Sequence, residues 1–255
     1  MVKKKIVMLV GGDHSSYAIY NALKNTYNIT NVILEEPKSK KEFIKRRIKK
    51  LGLLTVIGQV LFQKLIVPFL NKESKLRIEQ IKNDNNLQFT DFDKVKLIDV
   101  SSANSEECIK KLQEINPDIV IVNGTRIISK KVLNSIKGTF INTHAGFTPL
   151  YRGIHGAYWS KINKDGYCGV SVHLVDPGID TGGILYQSLI ETKEEDNFVS
   201  YTYLQLAKGI ELMKLAINDL LKNEHKIVTN GLNSKFWTHP TIWFYLKHRL
   251  INKVK

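Results

Sequence analysis

Residues 117–146 read PDIVIVNGTRIISKKVLNSIKGTFINTHAG, and this stretch decides the fold. Asp118–Val122 is a β-branched apolar run, which is typical of a parallel strand buried on both faces. A short helical segment, SKKVLNSIKG, follows, and TFINTHAG returns to a strand pattern. This alternation predicts a doubly wound α/β sheet, in which ligands bind at the carboxyl ends of the strands, where Asn123–Arg126 lie.

The chain before this stretch repeats the alternation. Ile6–Val10 predicts the first strand, GGDHSS follows at residues 11–16, and SYAIYNALKN is helical. Small residues before a helix leave backbone amides that can hold an anion. A plain strand-to-helix turn explains the segment equally well, because it contains neither GxGxxG nor a P-loop lysine. The substrate contacts predicted here are Gly12, Asp13, His14 and Ser15.

A change of composition follows the second predicted strand, residues 31–36. Lys38–Lys50 is strongly basic and Leu51–Leu70 is mainly apolar, which predicts a helical insertion over about residues 38–85. A membrane-spanning helix is rejected because two glutamines and a lysine interrupt the apolar run. We expect an amphipathic insertion that covers the domain, with peripheral contact to an anionic membrane as the alternative.

Composition limits the classes of protein. The 255 residues are 43% hydrophobic, which suffices for one large α/β domain. We predict a catalytic domain at residues 1–190 and a helical, aromatic C-terminal segment at 191–255. The two cysteines are far apart and indicate neither disulfides nor a cysteine zinc site. The first residues predict a strand rather than a signal peptide, so we expect a cytoplasmic protein.

The net charge of +14 and the pI near 9.6 favour anionic partners. The tail at residues 234–255 mixes tryptophans and other aromatic residues with lysine and arginine, a composition that could stack on bases. No groove-reading motif or RNA-binding consensus accompanies it, so no nucleic acid is expected. Aromatic residues around a proline more often anchor a terminal segment on its domain. The insertion and tail also leave open a homodimer.

Chemistry is concentrated between residues 141 and 182, INTHAGFTPLYRGIHGAYWSKINKDGYCGVSVHLVDPGIDTG. Asn142 and His144 alternate at the end of a strand, so their side chains share one face of the sheet. Asp180 follows in a glycine-rich loop. A carboxamide and an imidazole can stabilise an oxyanion, and a carboxylate can take a proton from an attacking amine. The residues alone equally allow two turn caps and a satisfied core histidine.

Four residues within this stretch are candidate substrate contacts. Tyr151 and Arg152 could hold a phosphate, because a guanidinium suits phosphate geometry, or could fix the loop. His155 and Tyr158 could line a sugar pocket or simply pack. His173 alternates with apolar residues on a strand and is interpreted as structural.

Four blocks occur in order: PDIVIVNGTRII at 117–128, NTHAG at 142–146, TPLYRG at 148–153 and VSVHLVDPGIDTGGIL at 170–185. With these blocks the chain resembles the folate-dependent formyltransferases. The resemblance covers the chain from the first strand to about Leu185, with least support in the insertion. It implies an α/β, Rossmann-like formyltransferase fold with a mostly parallel twisted sheet.

The resemblance also implies roles for residues. It places Asn142, His144 and Asp180 at the catalytic positions and makes N10-formyltetrahydrofolate the formyl donor, with no metal required. The pterin is implied to lie against backbone near residue 124 and in the loop before Asp180. The donor-binding residues implied are Gly124, Arg126, Ile127, Ile128 and Asp176.

Three acceptors are known within the resembled family. The enzyme for methionyl-tRNA carries a large C-terminal domain, whereas about seventy residues follow Leu185 here. The enzyme for glycinamide ribonucleotide usually has a glycine-rich phosphate loop after the first strand, where this chain has GGDHSS. The block YRGIHGAYW at 151–159, the basic insertion and the aromatic tail with FWTHPTIW at 236–243 most resemble formyltransferases that act on nucleotide-linked amino sugars. This resemblance implies such an acceptor, used for surface polysaccharide such as lipopolysaccharide O-antigen. Two other classes stay open, a metal-dependent hydrolase and a peripheral membrane or scaffold protein.

Overall fold

A seven-stranded sheet forms the centre of the computed structural model, which describes residues 4–37 and 39–255. Lys38, where the predicted insertion begins, lies outside the described residues. The strands in chain order are β1 Ile6–Val10, β2 Ile29–Glu35, β3 Leu97–Val100, β4 Ile119–Asn123, β5 Thr139–His144, β6 Arg152–Gly153, β7 Gly169–Leu174, β8 Ile184–Leu189 and β9 Phe236–Trp237. The sheet order is β3-β2-β1-β4-β5-β7-β8, and β6 pairs separately with β9.

Helices cover the sheet and form the insertion. They are α1 His14–Leu23, α2 Lys40–Leu51, α3 Leu53–Leu61, α4 Val67–Glu73, α5 Lys75–Asp84, α6 Glu106–Ile115, α7 Lys130–Leu133, α8 Gly156–Asn163, α9 Ser200–Lys222 and α10 Ile242–Ile251. Between α3 and α4 the helix continues as a π-helical turn, Phe62–Ile66. The predicted helical insertion corresponds to α2–α5.

Strand direction changes twice across the sheet, on either side of β7. The strands from β3 to β5 are parallel, while β7 is antiparallel to β5 and β8 is antiparallel to β7. The predicted α/β class with a mostly parallel sheet is confirmed. The β5–β7 register pairs Asn142 with His173 and His144 with Ser171. Polar residues of two neighbouring strands therefore come together at one end of the sheet.

Apolar side chains bury both faces of the sheet. Alternate residues of β1 and β4 enter opposite clusters, because successive strand residues point to opposite faces. On one face α9 packs against β7 and β8, so the C-terminal part of the chain adds to the same core. A third cluster, rich in aromatic residues, joins the insertion to α8 and α10 through Phe62, Tyr158, Phe198 and Tyr245.

One helical run in the described residues, Leu53–Glu73, is long and apolar enough by length and composition to cross a membrane. One side of this run packs on the protein: Phe62 contacts the rings of Phe198 and Tyr245, and Gln59 bonds to the backbone of His239. The run is therefore attached to the domain along its length.

Candidate active site

A cavity of about 480 Å³ opens at the carboxyl ends of β4 and β5. One wall is the segment after β4, residues 123–128, and the opposite wall is the loop after β7, residues 175–180. Asn142, His144 and Asp180 all line it. The structure thus brings together the three residues that sequence reasoning singled out, at the edge where parallel sheets bind ligands. The volume is within the range of small-molecule sites.

His144 is held on both sides of its ring. Its Nε2 lies 2.7 Å from the carbonyl oxygen of Tyr151, and its Nδ1 lies 3.4 Å from Oδ1 of Asp180. A carbonyl oxygen only accepts hydrogen bonds, so Nε2 must carry the proton that it donates to Tyr151. The backbone of the loop after β5 therefore fixes the orientation of the imidazole.

This orientation directs Nδ1 of His144 at a carboxylate oxygen of Asp180. With Nε2 as a donor, a neutral ring would direct the lone pair of Nδ1 at a carboxylate oxygen, and both atoms would be acceptors. A proton shared between Nδ1 and Oδ1 removes that repulsion, because opposite charges or a hydrogen bond then favour the contact. Both side chains are largely buried, which strengthens the interaction. The pair can therefore store and move one proton.

His173 belongs to the same cluster. Its Nδ1 donates to the carbonyl oxygen of Leu174 at 2.7 Å, and its Nε2 lies 3.3 Å from Nδ2 of Asn142 and 3.8 Å from Asp180. Burial is the main cause that lowers the pKa of His173. A neutral ring with Nδ1 protonated accepts the amide hydrogen of Asn142 through Nε2, so His173 fixes which way that carboxamide points.

The loop before Asp180 directs the carboxylate of Asp180 into the cavity. Oδ1 of Asp176 accepts from the backbone of Gly178 at 3.0 Å and from Oγ1 of Thr181 at 2.7 Å, which closes the loop on itself. Asp180 has a φ of 52°, a region that Asp tolerates better than bulky residues do. The backbone of Gly153 donates to Oδ2 of Asp180 at 2.9 Å. Asp176 thus shapes the loop, while Asp180 faces the reactive cluster.

An ion pair between buried Glu35 and half-buried Arg126 shapes the opposite wall. Glu35 accepts from the backbone of Ala103 at 3.0 Å, and from both the backbone and the guanidinium of Arg126 at 2.6 Å. The hydrogen bonds that Arg126 donates to Glu35 therefore fix the loop at residues 123–128. Ile127 and Ile128 supply the apolar wall of the cavity.

The turn at the start of this wall requires a glycine. Gly124 has a φ of 69°, and a Cβ there would meet the carboxylate of Asp13 at 2.7 Å. The turn produces a wall of backbone groups flanked by isoleucine side chains. Such a wall suits a flat ring with polar edges, so the residues present fit a pterin.

The segment after β1 is placed beside this wall rather than in the lining of the cavity. Gly12 has a φ of 73°. Asp13 caps α1 by accepting from the backbone of Ser16 at 3.1 Å, and the hydroxyls of Ser15 and Ser16 each lie within hydrogen-bond distance of both Asp13 and Asn123. His14 packs edge-on against Phe89. These contacts give the segment a structural role next to Gly124, and its substrate contacts stay a prediction.

The structure places the four candidate substrate contacts after β5 in two groups, two of them buried and two lining cavities. Tyr151 and Tyr158 are fully buried in the aromatic cluster. The hydroxyl of Tyr151 donates to Asp165 and its ring stacks on Trp237. Both tyrosine side chains therefore pack rather than line the cavity, a correction to the predicted substrate contacts.

Arg152 and His155 keep access to ligands. His155 lines the main cavity, and burial lowers its pKa well below the usual range. Arg152 lines a second cavity of about 290 Å³ and donates to the carbonyl oxygen of Ile179 at 3.1 Å. Its Nε is buried and has no hydrogen-bond partner within the described residues. Asp180 lines both cavities.

Sequence reasoning missed three residues of the site. His173 and Glu35 each follow an apolar strand pattern, and Gln205 lies on α9, where it lines the cavity and donates to the carbonyl oxygen of Gly169 at 2.7 Å. For Glu35 the available signal was a charged residue at the end of a buried strand, which predicts a position at the carboxyl edge. For His173 no local signal was available, because its place in the site depends on the antiparallel pairing of β7 with β5. Nothing in the sequence indicated Gln205, because its position depends on how α9 crosses the sheet.

Comparison with known proteins gives this geometry a context. The model of the family described as Formyl transferase matches residues 58–216, more than half of the chain. The chain belongs to the formyl transferase family. A relative of known name, the methionyl-tRNA formyltransferase of Thermodesulfovibrio yellowstonii, is 33% identical over 144 residues, which cover 54% of this chain and 47% of that protein. The chain spans about half the length or less of these curated relatives.

Solved structures share the fold of this chain. A sugar N-formyltransferase from Shewanella sp. has a TM-score of 0.58 at 16% identity and covers 92% of this chain and 76% of its own. The formyltransferase PseJ from Anoxybacillus kamchatkensis, in complex with UDP-4,6-dideoxy-4-formamido-L-AltNAc and tetrahydrofolate, has a TM-score of 0.51 at 17% identity, covering 91% and 85%. Glycinamide ribonucleotide formyltransferases are also among the matches. At these identities the likeness establishes the fold.

Proposed function

We propose that this chain moves a formyl group from N10-formyltetrahydrofolate to the amine of a nucleotide-linked amino sugar, in the synthesis of a surface polysaccharide. The observation that carries the proposal is the meeting of Asn142, His144 and Asp180 at one end of a cavity with a pterin-compatible wall. The folds that are shared with a sugar N-formyltransferase, and with PseJ in complex with a formamido sugar nucleotide and tetrahydrofolate, support the choice of donor and acceptor.

Asn142, His144 and Asp180 would have different roles in such a transfer. The bound donor would supply a carbonyl carbon open to attack by an amine. Asn142 has a second amide hydrogen besides the one directed at His173, and it can donate to the carbonyl oxygen as that oxygen gains negative charge. His144, sharing a proton with Asp180, adds positive charge beside the same oxygen.

Asp180 is placed to handle the proton of the attacking amine. The new bond joins the amine nitrogen to the formyl carbon, and the bond from that carbon to N10 breaks. The amine proton passes through Asp180 and ends on N10 of tetrahydrofolate. An attacking amine must be neutral, so the rate should fall at low pH.

The two cavities that meet at Asp180 support separate donor and acceptor sites. The larger cavity contains the loop 123–128, where the donor is proposed to bind. The smaller one contains Arg152, whose guanidinium matches the phosphates of a nucleotide-linked sugar. An amine that enters from the smaller cavity would meet the carboxylate first. Methionyl-tRNA and glycinamide ribonucleotide are the rival acceptors, since formyltransferases for both are similar to this chain.

The deciding experiment supplies N10-formyltetrahydrofolate with a panel of nucleotide-linked amino sugars, glycinamide ribonucleotide and methionyl-tRNA, and measures formyl addition by mass spectrometry. We expect a formylated sugar nucleotide. Formylation of the tRNA or of glycinamide ribonucleotide alone would contradict the proposed acceptor. Absence of transfer to every acceptor would contradict the proposed activity.

The site is tested with alanine variants of Asn142, His144 and Asp180. Each should lower turnover by about 10²–10⁴-fold with folding intact, which is the usual contribution of acid–base and oxyanion groups. His225→Ala, which removes an exposed histidine outside the cavity, is the matched control and should retain turnover. Turnover near wild type in a folded His144→Ala protein contradicts the mechanism.

A further inference from the structure

The helical run Leu53–Glu73 buries polar as well as apolar side chains and leaves large apolar side chains exposed. On its buried side Phe62 packs beside Gln59, which is 3% exposed and donates to the carbonyl oxygen of His239 at 2.7 Å, and Gln63 bonds to the ring of His239 at 3.0 Å. By contrast Leu54 is 76% exposed and Leu65 is 59% exposed. A helix on the surface of a globular domain usually directs its large apolar side chains to the core and its polar side chains to the solvent.

The outward residues follow one face of the helix. Leu54, Ile57, Leu61, Leu65 and Phe69 are all exposed, and their spacing of three or four residues places them in one row. The row continues through the π-helical turn between α3 and α4. Such a row of large apolar side chains in water is uncommon unless another surface covers it.

Helix α10 adds a second row beside the first. The ring of Trp243 lies over Gly58, where a Cβ would meet it at 2.4 Å, and Arg249 pairs with Glu73 at 2.9 Å further along. The two helical runs therefore lie side by side in the same direction. The exposed large apolar residues of α10 are Trp243, Leu246, Leu250 and Ile251. Together the two rows form what we call the apolar face.

Basic residues border the apolar face. Residues 39–72 contain nine lysines and arginines and a single acidic residue, Glu42. Lys45, Lys49 and Lys50 on α2 are exposed, and α2 is joined to α3 through Gly52 alone. A positive margin next to exposed leucine and tryptophan matches the composition of segments that lie in the interface of an anionic membrane.

We propose that the apolar face docks on an anionic phospholipid membrane, with leucine and tryptophan side chains entering the interface and α2 contacting the headgroups. The buried contacts of Gln59 and Gln63 keep the helical run attached to the domain, so the chain lies on the membrane rather than across it. A second copy is a poorer occupant, because it would bring an equally basic margin from a chain of net charge +14. The inference is independent of the acceptor.

The test is flotation of the full chain with vesicles of phosphatidylcholine alone or with about 30% phosphatidylglycerol. We expect recovery with the anionic vesicles to exceed that with neutral ones by at least about fivefold, and to fall on raising the salt from about 0.15 M to about 1 M. The variant Leu54→Ser/Leu65→Ser/Leu250→Ser should lose at least about tenfold of the binding. Failure of the wild type to float, or equal binding to both vesicles, overturns the proposal.

A matched variant removes three exposed apolar side chains elsewhere, Val95→Ser/Leu189→Ser/Leu215→Ser. It should bind like the wild type, and an equal loss of binding would overturn the assignment to the apolar face. Circular dichroism and thermal unfolding establish that both variants fold. Analytical ultracentrifugation tests for a second copy: a wild-type dimer that the face variant converts to monomers, with vesicle binding absent, overturns the membrane assignment.

Discussion

At the scale of single residues, backbone carbonyls set the protonation of the site. Tyr151 fixes the proton of His144 on Nε2, and Leu174 fixes the proton of His173 on Nδ1. The two imidazoles therefore present different nitrogens to the reactive cluster. His144 presents Nδ1 to Asp180, whereas His173 presents an acceptor nitrogen to Asn142. One histidine handles a proton, and the other positions a carboxamide.

This difference predicts that His173 acts as a positioning residue. His173→Ala should lower kcat by about tenfold, because the loss of one hydrogen bond of about 1.4 kcal/mol leaves Asn142 in several orientations. The KM of the donor should stay within about twofold, since the donor wall lies elsewhere. His173→Gln should recover most of the loss, because a glutamine oxygen also accepts from Asn142. Steady-state kinetics of both variants measure the effect.

An equal loss of kcat in His173→Ala and His173→Gln, or a rise in KM without a change in kcat, would contradict this role. Thermal unfolding of both variants separates positioning from folding, since a structural role would lower the melting temperature in proportion to the loss of rate.

At the scale of elements, the insertion is held by a close contact between two helices. Gly58 lies under the indole of Trp243, and the absence of a Cβ allows α3 and α10 to approach. Glycine inside a helix ordinarily costs about 1 kcal/mol relative to alanine. The packing at this position opposes the intrinsic preference of the helix.

The contact predicts a smaller loss of stability once the indole is removed. Gly58→Ala in the wild type should lower the free energy of unfolding by about 1–3 kcal/mol, because the methyl group overlaps the indole of Trp243 and approaches the Cβ of Thr241. In a Trp243→Ala background the same change should cost at least about 1 kcal/mol less, because only the contact with Thr241 remains and helix propensity favours alanine. Urea unfolding of the four proteins measures the cycle. An equal loss in both backgrounds contradicts the contact.

The elements also show what the sequence could predict. The bounds of β1, Ile6–Val10, were readable because a short apolar run ends at two glycines. The shared face of Asn142 and His144 follows from strand alternation, and the helical nature of the insertion from its period. The role of His173 was not readable, because it depends on the antiparallel register of β7 against β5, which joins residues 31 positions apart.

The orientation of the insertion also could not be predicted from local sequence pattern. The apolar residues of Leu53–Glu73 predict a buried side, and the structure buries Phe62 there together with Gln59, while Leu54 and Leu65 stay exposed. The acceptors of Gln59, such as the carbonyl oxygen of His239, are 180 residues away and are fixed only by the tail. Similarly, Tyr151 and Tyr158 were assigned to the pocket from proximity in sequence, but the aromatic cluster of α10 and the insertion buries them.

At the scale of the whole molecule, one histidine connects the insertion, the tail and the active-site cavity. Nδ1 of His239 lies 3.0 Å from Nε2 of Gln63 and 2.8 Å from Nε2 of His155. An amide nitrogen only donates, so Nδ1 accepts from Gln63, and His155 donates to it as well. Burial, and after it the charge of Arg47, lowers the pKa of His239 to about 4. Protonation of Nδ1 would break both hydrogen bonds.

This arrangement predicts that stability is lost on acidification. The pKa of His239 is about 4 in the folded protein and about 6.5 when unfolded. Between these values the unfolded chain binds a proton that the folded chain does not, so stability is full above about pH 6.5 and falls as the pH approaches 4. The shift corresponds to about 3 kcal/mol, and the lowered pKa of His155 acts in the same direction.

Urea unfolding between pH 7.5 and 4.5 measures this loss. His239→Gln should be less stable than the wild type at pH 7.5, because it disturbs the contact with His155. It should lose less stability on acidification, since glutamine does not titrate, so the two curves converge toward low pH. His225→Gln, at an exposed histidine, should run parallel to the wild type. A parallel curve for His239→Gln would show that the junction does not take up the proton, and the acid sensitivity of the fold would then have to arise from its other histidines and carboxylates.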